Sequence, residues 1–235
     1  TMNKRTIFVI GMSLLVAPSH ISDLFAQGKA FRVGIQAGAF IPQYWQIQGW
    51  EQISYSNGSP TSVTVSGFGD GGELNLFGTY YFSDWGATVR TGVRLPRREL
   101  SMSAGPGGWR ESYENRLTVI PLTFSLTRRA SVNNSKFSSY FGIGIGLYIS
   151  RWEQKHSREG AERTWLKGSS TPIGGNLTAG FDYPLYSHLL INCEAEYSYV
   201  KTDWEIQNVD TNERIELKNS NIGGISLRLG LAFEF

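Results

Sequence analysis

The chain has 235 residues, the size of one moderate domain, and its 22 lysines and arginines nearly balance 20 aspartates and glutamates. A formal net charge of +2 excludes the strongly basic surface that steers nucleic-acid binding, so no nucleic-acid partner is expected. Cys193 is the sole cysteine, which excludes an internal disulfide and a cysteine-based metal site.

The N-terminal text reads as a secretory signal. Lys4 and Arg5 precede the apolar run IFVIGMSLLVA, and a small-residue exit ends at Ala26. That run is too short to cross a bilayer as a helix, and no later stretch is long and apolar enough to do so. Residues 1–26 are therefore expected to be a signal peptide and 27–235 an exported domain.

From Phe31 onward the period is two. In residues 31–41, Phe31, Val33, Ile35, Ala37, Ala39 and Ile41 share one face, against Arg32, Gly34, Gln36 and Gly38. The pattern returns at 73–82, where Leu74, Leu76, Tyr80 and Phe82 oppose Glu73, Asn75 and Thr79. It returns at 87–95, with Val89, Val93 and Leu95 opposing Arg90 and Arg94, and the intervening SDWG predicts a tight hairpin. Residues 116–126 alternate through Ile120, Leu122, Phe124 and Leu126, with Pro121 predicting a bulge or bend.

Residues 139–149 contain YFGIGIGLYI, in which Gly142, Gly144 and Gly146 recur at every second position. A dinucleotide loop needs G-x-G-x-x-G between a strand and a helix, and no helix follows here. The glycines instead form a bare stripe opposite Phe141, Ile143, Ile145, Leu147 and Ile149. Segments 173–183, 189–199 and 225–235 complete the set, the last setting Leu227, Leu229, Leu231, Phe233 and Phe235 against Arg228 and Glu234.

Eight such segments, each long enough to cross a bilayer at a tilt, alternate between short and long connections. The fold class expected is all-β: an eight-stranded antiparallel up-and-down transmembrane β-barrel, whose closure leaves no backbone edge in lipid. A soluble lipocalin-type barrel is the competing reading, with its apolar face turned inward. Aromatic residues at the segment ends favour the membrane: Phe31, Tyr80, Phe82 and Trp85 on one side, Tyr44, Trp45, Trp152 and Trp204 on the other.

Three stretches carry a family likeness. The terminal ISLRLGLAFEF, ending on Phe235 after Phe233, resembles the C-terminal signal read by the outer-membrane assembly machinery. VIPLTFSL followed by SSYFGIGIGLYIS, and the stretch FDYPLYSHLLINCEAEYSYV, resemble strands four to seven of the small OmpA/OmpX-like outer-membrane β-barrel domain family. The resemblance implies the outer membrane as location and the assembly machinery as a partner; it implies no particular activity.

An eight-stranded barrel has room inside only for side chains. The inward set contains Arg32, Arg90, Arg94 and Arg228 with Glu73, Glu194, Glu196 and Glu234, beside Asn75. Charges of both signs neutralise one another in such a space, which predicts a polar plug; a narrow ion gate is the competing reading. Topology predicts Asn75 opposite Arg94 with Glu73 close by, Arg32 near Glu234, and Glu194 or Glu196 near Arg228. The glycine stripe is expected to leave space for Arg90, Arg94 and Arg228.

Three outer loops have alternating runs that predict protruding hairpins: residues 52–66, 152–168 and 204–220. These loops suit an extracellular protein partner bound by strand addition, and their basic residues suit the phosphates of lipopolysaccharide and other outer-membrane lipids. Catalysis is not expected. His156 falls in a loop and His188 in a periplasmic turn, no metal-ligand spacing appears, and no cofactor is implied. Cys193 falls on the lipid face as a small apolar residue. The expectation is a monomeric, non-enzymatic barrel with structural or surface-interaction roles; the alternative is a small OmpW-like channel or conduit for ions or apolar molecules.

Overall fold

The structure is a computed structural model that describes residues 31–43, 70–103, 110–131, 137–158, 161–209, 212 and 214–235. The expected signal peptide at 1–26, the hairpin at 52–66, and Tyr44 and Trp45 lie outside the described residues.

Among the described residues eleven strands form one sheet: β1 (Phe31–Pro42), β2 (Gly71–Phe82), β3 (Trp85–Ser103), β4 (Arg110–Ser131), β5 (Ser138–Arg158), β6 (Ala161–Ser170), β7 (Ile173–Pro184), β8 (Leu189–Tyr199), β9 (Lys201–Asn208), β10 (Arg214–Asn221) and β11 (Gly224–Glu234). Strands β1 to β5 pair in sequence, β5 pairs β7, β7 pairs β8, β8 pairs β11, and β11 returns to β1. That ring is a closed, eight-stranded antiparallel barrel. Strands β6, β9 and β10 are outer continuations of β7, β8 and β11 across short breaks, and they pair among themselves beyond the membrane.

The alternating pattern builds this wall inside out relative to a soluble barrel. Ile143 and Ile145 are 64% and 65% exposed, whereas Arg94 is 1% exposed. Only a hydrocarbon surrounding makes that arrangement favourable, because apolar surface then faces lipid and charge is enclosed with its partners. Short turns mark the periplasmic end, where Phe82 and Trp85 are exposed on the lipid face.

Several local expectations change. The hairpin after β2 is tighter than expected: Phe82 pairs with Trp85, and Ser83 takes a positive φ of 62°. Glu73 therefore stands directly opposite Arg94, and Asn75 stands opposite Gly92. Pro121 produces no bulge. Strand β4 runs unbroken through it, and the β3–β4 ladder lapses between Thr91↔Leu122 and Arg94↔Val119, then resumes in the same register. A residue without an N–H removes a ladder bond but does not have to displace the strand.

Strands β3, β4 and β5, at 19, 22 and 21 residues, are about twice the length a bilayer requires. Their outer halves form a sheet that rises above the membrane, and the β5–β6 and β9–β10 hairpins join it. Residues 96–103 and 110–115 contribute to this sheet through the β3–β4 pairs as far as Ser103↔Arg110.

Candidate functional site

The site is the lumen, and it is built in two layers. The lower layer collects the charges. Arg228 donates from Nε to Glu73 Oε1 at 2.9 Å and from Nη1 to Glu194 Oε1 at 2.7 Å and Glu196 Oε2 at 2.9 Å. Arg90 reaches the same two glutamates, Glu194 at 2.6 Å and Glu196 at 2.8 Å. Arg94 donates to Glu73 at 3.2 Å and to Ser198 Oγ at 3.2 Å, and also pairs with Glu196. All six of these charged side chains are buried.

A second group lies toward the periplasm. Arg32 pairs with Asp182 at 2.8 Å and with Glu234 at 3.1 Å, and Glu234 also holds Arg129 at 2.6 Å. Asn192 links the two groups: its Nδ2 donates to Asp182 at 2.7 Å and to the Tyr140 hydroxyl at 2.9 Å, and Tyr140 donates to Glu194 at 2.8 Å. Gln36 donates to Asn192. Isolated, any one of these ions would be costly; mutually paired, they form a neutral and rigid layer. A void of about 10 Å³ beside Arg32, Arg90 and Thr178 has room for roughly one water, far short of an aqueous path.

The upper, outer layer is apolar. Leu117, Val119, Tyr148, Trp152, Leu166, Val200, Trp204, Ile206 and Ile222 form one buried cluster. The Trp152 and Trp204 rings meet edge to face with centroids 6.4 Å apart. Arg94 joins the layers, its guanidinium lying 4.8 Å from the Phe40 ring centroid and 5.8 Å from that of Tyr148. Above the barrel mouth the charge pairing is local, with the arginines exposed: the hydrogen bond from Arg116 at 2.7 Å, with Arg97 beside it, holds the Glu114 carboxyl below its ordinary range.

The wall has one interval of special interest. The β7–β8 ladder ends at Gly175↔Tyr199 and the β6–β9 ladder begins at Ser169↔Glu205. Among the described residues no ladder pair joins 170–174 to 200–204, although Ser170 and Thr202 touch through their hydroxyls. The interval sits at the outer membrane boundary, where lipid-facing Ile173 and Tyr199 give way to exposed Lys201 and Asp203.

The sequence-derived residues fall as follows. Arg90, Arg94, Arg228, Glu73, Glu194 and Glu196 meet in the lower layer, Arg32 pairs with Glu234 at the periplasmic rim, and buried Asn75 makes no side-chain hydrogen bond among the described residues. Gly142, Gly144 and Gly146 face the lumen, but arginine heads do not fill the space beside them. A Cβ at Gly142 would lie 2.7 Å from Thr127 and 2.8 Å from Thr178, one at Gly144 2.2 Å from Ser125, and one at Gly146 2.6 Å from Thr123. Short polar side chains of the two flanking strands occupy it, because neighbours in the sheet arrive before any side chain crossing the barrel.

Trp152 and Trp204 are a larger correction. They are 2% and 3% exposed inside the lumen and belong to no interfacial girdle. Continuing the inward parity Gly146, Tyr148, Ser150 past the membrane would have placed Trp152 correctly, as would Val200, Thr202 for Trp204. Sequence reasoning also passed over Asp182, Tyr140, Asn192 and Arg129 as network members. Phe233 and Phe235 lie at the periplasmic end with rings 4.9 Å apart, and His188 stacks on Phe233 at 5.8 Å.

The OmpW family model matches residues 60–235. No curated protein matches the chain. Among solved structures, the outer membrane protein OprG from Pseudomonas aeruginosa is similar at a TM-score of 0.57 and 17% identity, covering 88% of this chain and 95% of that one. Neisserial surface protein A is similar at a TM-score of 0.52 and 12% identity, covering 88% and 97%. At these identities the likeness is one of fold. The earlier resemblance to the OmpA/OmpX-like group led to the same architecture and membrane, but the matching family is OmpW.

Proposed function

The chain belongs to the OmpW family, and from that premise we propose that this outer-membrane barrel admits apolar molecules into the outer half of its lumen while its charged layer blocks ions and water. The observation that carries the reading is the nine-residue apolar cluster seated on the ion-pair layer. Apolar side chains facing inward at an extracellular mouth are not needed to seal a barrel whose charges already fill it lower down. They offer an alkyl guest a surface as favourable as the one it displaces. The guest's way out is sideways: the interval at 170–174 and 200–204 lies at the level of the outer leaflet and is closed by side-chain contacts such as Ser170 with Thr202, without ladder pairs. Barrel residues bind and guide; no chemical step is assigned to them.

Titration of the refolded protein with a fluorescent alkyl probe tests this directly, with Trp152 and Trp204 as energy-transfer donors. Saturable transfer that falls sharply in Trp152→Phe/Trp204→Phe, with the other five tryptophans still present, is the expected result. Absence of saturable binding, or discrete ion-conducting openings of the wild type in planar bilayers, overturns it.

A second reading rests on the height of the wall. Strand β4 extends 22 residues, and its outer half with β3 and β5 presents a rigid surface to the exterior. That surface suits contact with an extracellular protein, and the two roles are compatible because they use opposite sides of the same strands.

A further inference from the structure

The lipid face has a hollow that the lumen does not explain. Across the wall, Phe124 pairs with Ile145, Ile145 with Gly175, and Gly175 with Tyr199, while the next row toward the periplasm runs Leu126, Ile143, Leu177 and Tyr197. Gly175 is the one position in these two rows without a side chain. The result is an apolar groove of about 560 Å³, within the roughly 300–1,000 Å³ of small-molecule sites.

Packing does not require glycine there. A Cβ on Gly175 would meet only the Gly144 carbonyl oxygen at 3.8 Å, an ordinary contact. On neighbouring Gly174 it would lie 2.6 Å from Val200. The hollow is therefore open space in the membrane-facing surface, and its surroundings name the occupant. Its walls stand in the hydrocarbon band, with Ile143, Ile145 and Leu177 all exposed to lipid. At its outer end Lys201 Nζ lies 5.9 Å from the centroid of the Tyr199 ring that forms one wall. Tyr197, on the same strand, accepts a hydrogen bond from Gln43 at 2.9 Å, which ties that wall to β1. An alkyl slot capped by an ammonium at headgroup level matches a phosphorylated, acylated lipid.

We propose that this groove holds one acyl chain of lipid A, the phosphorylated glycolipid of the outer leaflet, with Lys201 on its phosphate. The site is independent of the apolar chamber in the lumen.

Native mass spectrometry tests it with the whole barrel released from nanodiscs containing lipid A, dephosphorylated lipid A or phosphatidylglycerol. Wild type is expected to retain lipid A in preference to the other two. Gly175→Leu should cut retention of both forms of lipid A about tenfold, whereas Lys201→Gln should cut only the phosphorylated form. Should Gly175→Leu fail the heat-shift assay for folding, Gly175→Ala carries the same comparison. Equal retention by wild type and both variants overturns the proposal, as does equal retention of phosphatidylglycerol. A dimer that Gly175→Leu converts to monomer overturns it too, since a second copy of the chain would then be the occupant. Trp152→Phe/Trp204→Phe, which removes the lumen donors and touches no wall of the groove, should leave lipid A retention unchanged, so failure here is separable from failure of the conduit reading.

Discussion

Arg228 and Glu73 stand 155 positions apart in the chain, yet Arg228 Nε donates to Glu73 Oε1 at 2.9 Å, with both side chains excluded from solvent. Glu194 and Glu196 share the same guanidinium, so it neutralises three carboxylates arriving from two strands, β2 and β8.

Replacing Arg228 with Ala leaves those glutamates short of a cation in an enclosed space. The expected loss is about 3–5 kcal/mol of unfolding free energy in lipid vesicles, the usual cost of breaking a buried pair from one side. Removing Glu73 as well should recover part of it. Unchanged stability together with new ion conductance would show that the layer gates and does not brace.

Arg129→Ala should behave differently. Arg129 and Glu234 are about a quarter exposed, and Glu234 keeps Arg32 at 3.1 Å when Arg129 is gone. Urea titration should register a change of about 1 kcal/mol or less, since water screens the pair. A loss equal to that of Arg228→Ala would mean that position in the barrel does not set the worth of these pairs.

Gly144→Leu should overpack the lumen. Its Cβ alone would fall 2.2 Å from Ser125 Oγ and 2.5 Å from the Phe124 carbonyl oxygen, and the latter is backbone that cannot swing aside. A penalty at or above about 1–3 kcal/mol is expected, seen as loss of the compact, heat-shifted band on a gel. A normally stable variant would contradict the inward placement of the stripe.

Trp152→Ala should cost about 3–5 kcal/mol in unfolding free energy, by analogy with aromatic truncations in soluble cores. It removes the partner of the Trp204 ring and opens the apolar chamber. The same variant should accept a bulkier alkyl probe than wild type. Stability and probe size limits that both stay unchanged would place Trp152 outside the chamber wall.

The polar layer was legible in part. Parity alone assigned Arg32, Arg90, Arg94, Arg228 and their glutamates to one face, since a period of two admits only two faces. Asp182 shared that parity and was nevertheless left out of the charge balance; its partner Arg32 is contributed by a strand three places away in the ring. Pairs across adjacent strands, such as Arg32 with Glu234, followed from the order of the strands. Pairs across the lumen, such as Arg90 with Glu194 and Glu196, did not, because they depend on how the closed sheet folds back on itself.

What the sequence determined by itself was the wall: eight alternating segments, the face each residue takes, and so the lipid surroundings that such an inside-out pattern demands. The reason is local, since inside and outside follow from counting by twos. What only the tertiary structure decided was the content of the interior. The outer apolar cluster exists because β5, β8 and β9 carry their parity past the membrane and converge there, bringing Trp152 against Trp204. The lapse between β7–β8 and β6–β9 is a fact of pairing between strands, and no single strand encodes it. The groove at Gly175 has the same origin: a glycine becomes a hollow only when three neighbouring strands set large side chains around it.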